Sequence, residues 1–155
     1  MIKILVMDVD GTLTDGKIYC GPHGEIMKAF NVKDGMGIIK VHSKNVIPVI
    51  ITGRESEILP YRAQELNITE TYQGINNKAE KLKELSTHYN CDLSQIAYIG
   101  DDENDLDCMK MCGVIGCPAD AVDEVIKISD FVSNKNGGEG AVREFIDYLI
   151  NNNKF

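Results

Sequence analysis

The chain has 155 residues, 43% of them hydrophobic, and a formal net charge of −8 from 16 basic and 24 acidic side chains. That length predicts one domain, residues 1–155, with a real core, and the apolar content excludes intrinsic disorder. No apolar run reaches the roughly 18 residues a membrane helix needs. The acidic balance offers no basic face, so neither membrane nor nucleic acid is expected as a partner. The N-terminus, MIKILVMDVD, runs into acids with no small-residue cleavage site, which predicts no signal peptide and a cytoplasmic protein. Cys20, Cys91, Cys108, Cys112 and Cys117 read as free thiols, since the last three are spaced by three and four residues without a zinc-type pair. His23, His42 and His88 are scattered and match no metal or triad spacing.

Along the chain, Ile2 to Met7 reads as a buried parallel strand. Ile18–Cys20 and Glu25–Phe30 flank Gly21-Pro22-His23-Gly24 as a β-hairpin with a four-residue turn. A helix is predicted from near Asp34, as N-cap, to about Lys44. Val46–Ile51 reads as a strand and Ser56–Leu66 as a helix, with Pro60 tolerated near its first turn. Asn77–Tyr89 forms an amphipathic helix with Leu82, Leu85 and Tyr89 inward. Next come a strand at Ile96–Gly100, a helix at Glu103–Met111, a strand at Val114–Cys117, a helix at Ala121–Ile128 and an edge strand at Asp130–Val132. Gly137–Gly140 reads as a mobile turn before a terminal helix, Ala141–Ile150. The alternation predicts a parallel sheet covered on both faces.

Chemistry-bearing residues follow the predicted strands. Asp8 and Asp10 close the first, in DVDGTLT; Thr52-Gly53-Arg54 follows the second core strand; GDDEND (100–105) follows the third. Lys78 opens the amphipathic helix. Ligands bind outside the carboxyl ends of such strands. Together the set suits phosphoryl transfer, where catalysis is mostly positioning and neutralisation of charge. Asp8 is a candidate nucleophile that would form an aspartyl-phosphate, and Asp10 a candidate acid and base. Thr52 could donate to a phosphoryl oxygen and Lys78 neutralise another, while Asp101 would complete a Mg2+ site with Asp8.

These four motifs resemble those of the haloacid dehalogenase superfamily of phosphohydrolases, and the resemblance spans essentially the whole chain. It implies an α/β fold with a doubly wound, Rossmann-like parallel sheet. It further implies Mg2+ held by Asp8, the Asp10 carbonyl and Asp101, with Asp102 and Asp105 as supporting acids that orient the metal shell or Lys78. Gly11, Thr12, Gly53 and Arg54 would lie at the substrate. An acid at position 10 is typical of phosphatases and phosphomutases, not of the transport ATPases. The intervals of 44 positions from Asp8 to Thr52 and 26 from Thr52 to Lys78 leave no room for a cap domain.

Within that superfamily, the hairpin segment with KAFNVKDGMGI, ITGRESEI, YQGINNK and GGEGAVRE resemble the 3-deoxy-D-manno-octulosonate 8-phosphate phosphatases and their nonulosonate 9-phosphate relatives. Such a resemblance implies a phosphorylated sugar acid as substrate and a homotetramer in which hairpins meet and neighbouring subunits cover each site. The alternative for the hairpin is to fold back on its own sheet. Arg54 suits a substrate carboxylate, and the resemblance implies that an arginine after Thr-Gly is typical of the octulosonate enzymes and a glutamate of the nonulosonate ones, which favours the eight-carbon sugar. Arg62 could serve the same pocket across a subunit boundary or be an ordinary surface-helix arginine. Arg143 is expected to cap or pair locally. A phosphoacceptor receiver domain uses similar residues, but with its acid pair first and a lone acid second, opposite to the order here. A non-catalytic regulatory module is the remaining alternative, against which the intact motifs weigh.

Overall fold

Ile4–Met7 (β1) is fully buried on both faces and stands at the centre of a six-stranded sheet in this computed structural model, which describes residues 1–155. The chain first builds outward on one side, through β4 (Ile47–Ile51) to β5 (Glu70–Tyr72). It then returns to the other flank of β1 with β6 (Ile96–Ile99), β7 (Val114–Cys117) and β8 (Phe131–Val132). All five pairings are parallel. The strand order therefore reverses at β1, which makes its carboxyl end the natural ligand crevice.

Side chains alternate along each strand, so the sheet feeds two cores. Leu5, Met7, Ile50 and Ile99 face one of them, beneath α1 (Val32–His42), α2 (Leu59–Glu65) and α6 (Ala141–Asn151). Ile4, Val6, Ile51 and Tyr98 face the other, beneath α3 (Lys78–His88), α4 (Leu106–Met109) and α5 (Asp123–Ile128). The doubly wound, capless fold expected from the sequence is the one observed. Pro48 sits inside β4 without breaking the ladder. Ile47 N donates to Lys3 O on the β1 side, so the next residue faces the β5 side, where pairing starts only at Val49.

Several boundaries differ from expectation, each for a local reason. Helix α1 starts at Val32, capped by Asn31, whose side chain accepts from Lys33 N at 2.8 Å. Asp34 is not its cap, because its carboxylate is engaged on α6. The hairpin strands are β2 (Tyr19–Gly21) and β3 (Gly24–Met27), and Gly21 pairs with Gly24, so the turn is Pro22-His23 alone. Residues 56–58 stay outside α2, as the Ser56 hydroxyl turns back to accept from Ile58 N. The acidic run at Glu103–Asp105 winds as a tighter 3-10 turn before the short α4, and α5 begins at Asp123. Strand β5 went unpredicted because Glu70-Thr71-Tyr72 is too short and too polar to show a period. The glycine-rich turn at 137–140 is tied down: Gly137 N donates to Asp120 Oδ1 at 2.9 Å and Gly138 N to Thr12 O at 3.1 Å. No helix is long and apolar enough to cross a membrane, and all five cysteines are free.

Phe145 of α6 is fully buried and stacks on Phe131 at 5.8 Å between centroids, with its ring against Gly116 of β7. Emptying that position is expected to lower stability by about 3–5 kcal/mol in Phe145→Ala, measured by urea unfolding.

Candidate active site

Met7 lies opposite Ile50 on β4 and opposite Ile99 on β6. The residues that follow these strands, Asp8, Thr52 and Asp101, therefore leave the sheet at one edge. Val9–Leu13 then wind into a single wide turn, closed by Thr14 N donating to Val9 O at 3.0 Å. Gly11 makes this turn possible. Its φ of 93° lies in the left-handed region, and a Cβ there would sit 2.0 Å from Asp101 Oδ2. The turn thus presses backbone against the Asp101 carboxylate, and Thr12 Oγ1 donates to Asp101 Oδ1 at 3.0 Å. Thr12, expected at the substrate, is fully buried with its side chain bonded to Asp101.

Lys78 is the first residue of α3, whose N-cap Asn77 accepts from Glu80 N at 3.1 Å. Its buried Nζ donates to Asp8 Oδ1 at 2.6 Å and to Asp105 Oδ1 at 2.8 Å. Burial alone would lower the lysine pKa; the two carboxylates overcome that and raise it, so Lys78 stays charged. Asp105 Oδ1 also accepts from Tyr98 OH at 2.7 Å, and its Oδ2 accepts from the main-chain N–H of Asp101 at 3.1 Å and Asp102 at 3.4 Å. Both oxygens are thus committed, and Asp105 orients Lys78 and the 101–102 backbone. Asp102, expected beside it as a supporting acid, is exposed and accepts from Glu103 N at 2.7 Å; its side chain caps the 3-10 turn.

Oxygens of Asp8, Asp101 and Asp105 lie within 4.8 Å of one another. Burial, then repulsion from Asp105, raises Asp8 to about 6 despite Lys78. Burial, then repulsion from Asp8 and Asp105, raises Asp101 to about 8. One lysine does not balance three gathered acids, and an all-oxygen donor set suits a hard divalent cation. The residues present fit Mg2+. Asp8 and Asp101 would hold it, with the Asp10 carbonyl as the third ligand that the resemblance implies.

Asp10 faces a second set of charges. Lys28, just past β3, places Nζ 2.5 Å from Asp10 Oδ1 and 2.9 Å from Glu25 Oε1. Glu25 in turn accepts from the Ser56 hydroxyl on the loop after β4. Arg54 Nε lies 3.8 Å from Asp10 Oδ2, with its side chain 49% exposed. Asp10 Oδ2 itself is buried without a hydrogen-bond partner. Lys28, Glu25 and Ser56 were missed in the sequence. Residues three apart in a strand point to opposite faces, and only the chain leaving β3 after Met27 brings Glu25 and Lys28 together. Thr52 is buried at the strand end, and Gly53 is exposed beside it.

Arg62 does not join this site. It packs between α1 and α2, donating to Glu65 at 3.2 Å and to Asn31 O at 3.4 Å, over the Phe30 ring. Arg143 pairs locally with Asp147 at 2.7 Å, as expected.

A buried acid with a partly buried second acid two residues on, a fixed lysine and a metal-type acid at the switch point of a doubly wound sheet define a phosphotransfer site of the haloacid dehalogenase type. Comparison with known proteins agrees. A sequence profile of haloacid dehalogenase-like hydrolases matches residues 70–146. The 3-deoxy-D-manno-octulosonate 8-phosphate phosphatase of Yersinia pestis is 42% identical over 149 residues, 96% of this chain and 80% of that protein. A crystal structure of the Yersinia pestis enzyme matches with a TM-score of 0.93, covering 99% of this chain and 83% of that one at 42% identity. The enzyme from Moraxella catarrhalis, solved with a magnesium ion, a phosphate ion and a KDO molecule, matches at 38% identity and a TM-score of 0.93, covering 97% and 86%. The chain belongs to the 3-deoxy-D-manno-octulosonate 8-phosphate phosphatase family of the haloacid dehalogenase-like hydrolases.

Mg2+ binding is expected to stabilise the fold. At free Mg2+ one hundred times its Kd, the unfolding free energy should rise by about 2.7 kcal/mol. Thermal unfolding with and without Mg2+ reads this gain, and Asp101→Asn should lose most of it.

Proposed function

We propose that this chain is a Mg2+-dependent phosphatase that releases inorganic phosphate from 3-deoxy-D-manno-octulosonate 8-phosphate, acting as a single catalytic domain over residues 1–155. Asp8 carries the proposal: a buried carboxylate at the switch point, with one oxygen fixed on Lys78 Nζ at 2.6 Å and the other available as a nucleophile.

In the first half-reaction an Asp8 oxygen attacks phosphorus, and the bond from phosphorus to the sugar oxygen breaks. Asp10 gives its proton to that oxygen, and the sugar acid leaves. In the second, Asp10 takes a proton from water, the water oxygen attacks the aspartyl-phosphate, and Asp8 is released with inorganic phosphate. Lys78 and the Thr52 hydroxyl face phosphoryl oxygens throughout, so charge gathered there meets donors that need no rearrangement. When bound, Mg2+ supplies neutralisation of the phosphate charge. Asp105 holds Lys78 in place and Thr12 holds Asp101.

Arg54, half-exposed above Asp10, is the residue of this site best placed to meet the substrate carboxylate, since a guanidinium binds a planar carboxylate through two parallel hydrogen bonds. The names of the relatives support the eight-carbon acid over a nonulosonate 9-phosphate. We also propose a homotetramer in the cytoplasm, with neighbours covering the open site. Ile26, Met27, Val32 and Met36 are exposed on and just beyond the hairpin, an apolar surface that suits a partner copy.

Phosphate release is expected with 3-deoxy-D-manno-octulosonate 8-phosphate at a higher kcat/KM than with a nonulosonate 9-phosphate; turnover of neither would defeat the substrate assignment. Asp8→Asn should abolish release while unfolding stays cooperative, and clear residual activity in that folded variant would remove Asp8 as nucleophile. Light scattering at micromolar concentration should give a tetramer; a monomer would end the shared-site proposal.

A further inference from the structure

Asp34 is 1% exposed on α1, in the core between α1, α2 and α6, and takes no part in the chemistry above. Its Oδ1 accepts from Arg143 N at 2.8 Å, 109 positions away. Arg143 is the third residue of α6, and the cap position of that helix is Gly140, left-handed at φ 108° and without a side chain to offer. An N-cap side chain normally accepts from the second or third helical N–H. Asp34 does this for α6 from another helix, and the nearby Gly140 amide also favours its charged form. A carboxylate suits the place, since the helix dipole favours negative charge there.

The segment just before that cap lies on the catalytic turn. Gly138 N donates to Thr12 O at 3.1 Å. A Cβ on Gly137 would sit 1.9 Å from the Gly11 carbonyl oxygen and 2.8 Å from that of Thr14. The chain passes there only because these positions lack side chains. Residues 137–138 thus form a strap over the turn that carries Asp10 and holds Asp101 through Thr12.

We infer that Asp34 is a positioning residue: by capping α6 from α1 it fixes the Gly137–Gly138 strap, and the strap fixes the catalytic turn. Its second oxygen is buried with no hydrogen-bond partner, as is Nε of the neighbouring Arg62. That cost is retained for the cap. Burial raises the Asp34 carboxyl to about 6 against the pull of the Arg143 and Gly140 amides. The charged groups facing it are Arg62 from α2 and Arg143 from α6. Below that pH Asp34 is neutral and the cap weakens.

The inference rests on the proposed phosphatase reading for its kinetic arm only. Amide hydrogen exchange needs no turnover and reads the cap directly. Asp34→Asn keeps an acceptor for Arg143 N but removes the charge, so exchange at Arg143 and Gly138 should quicken up to about fivefold, the scale of a charge lost from a helix N-terminus. In the same variant kcat should fall about fivefold with KM unchanged. The wild-type to variant ratio of kcat should approach one below pH 6 and reach its plateau above pH 7. Lys40→Ala breaks a separate exposed link between α1 and α6, the 3.0 Å pair with Asp147, and should leave exchange and kcat as they are. Should Asp34→Asn fail to fold, Gly137→Ala tests the strap from the other end, with kcat lost and Arg143 exchange unchanged. Unchanged exchange in Asp34→Asn, quickened exchange with unchanged kcat, a kcat ratio that ignores pH, or a fully active Gly137→Ala would overturn the proposal. An enzyme that turns over no sugar phosphate would overturn the substrate assignment instead, and the exchange measurement would still decide the cap.

Discussion

The contact of Lys78 with Asp8 and Asp105 is the constraint on which the rest of the site depends. Three carboxylates gather where the strand order reverses, and burial penalises each of them. A single ammonium group, held by two of them at 2.6 and 2.8 Å, keeps Asp8 fixed and partly neutralised. A buried pair of this kind adds little net stability, but removing one member leaves an uncompensated charge behind. Its value lies in orientation: one Asp8 oxygen is locked on Lys78. The burial and repulsion that raise Asp101 to about 8 are what a divalent cation would relieve.

Around that contact the fold is arranged to leave little freedom. Tyr98 and two main-chain N–H groups hold Asp105, and Thr12 holds Asp101. The turn carrying Asp10 is clamped between Asp101 and the glycine strap from the far end of the chain. Sites that rely on preorganised charge need such support, because reorganisation during the reaction would forfeit the stabilisation. Rigidity here comes from close backbone approach at Gly11 and Gly137.

On its outer side the site has a different character. Asp10 is approached by Lys28 from the hairpin and Arg54 from the loop after β4, and Glu25 ties the hairpin to Ser56 on that loop. Asp10 is therefore coupled to a hairpin that exposes Ile26 and Met27. A capless chain leaves a small substrate's site open on this side, and in the proposed assembly the hairpin would link a covering neighbour to Asp10.

Much was already determined by sequence alone. Alternating apolar runs and amphipathic helices set a doubly wound sheet, because only burial on both faces satisfies strands without a polar side. Acids and a threonine at strand ends, with a lysine at a helix start, marked Asp8, Asp10, Thr52, Lys78 and Asp101 as candidates, since parallel strands bring their ends to one edge. Tertiary structure alone decided which side chains spend their polar atoms on one another. It chose Asp105 over Asp102 as the partner of Lys78 and gave Asp102 to a helix cap, drew Thr12 to Asp101, and packed Arg62 between two helices of its own chain. It brought Lys28 to Asp10 and placed Asp34 as the cap of a helix 109 positions away. Those choices depend on distances between segments remote in the chain, and no local period or spacing encodes them.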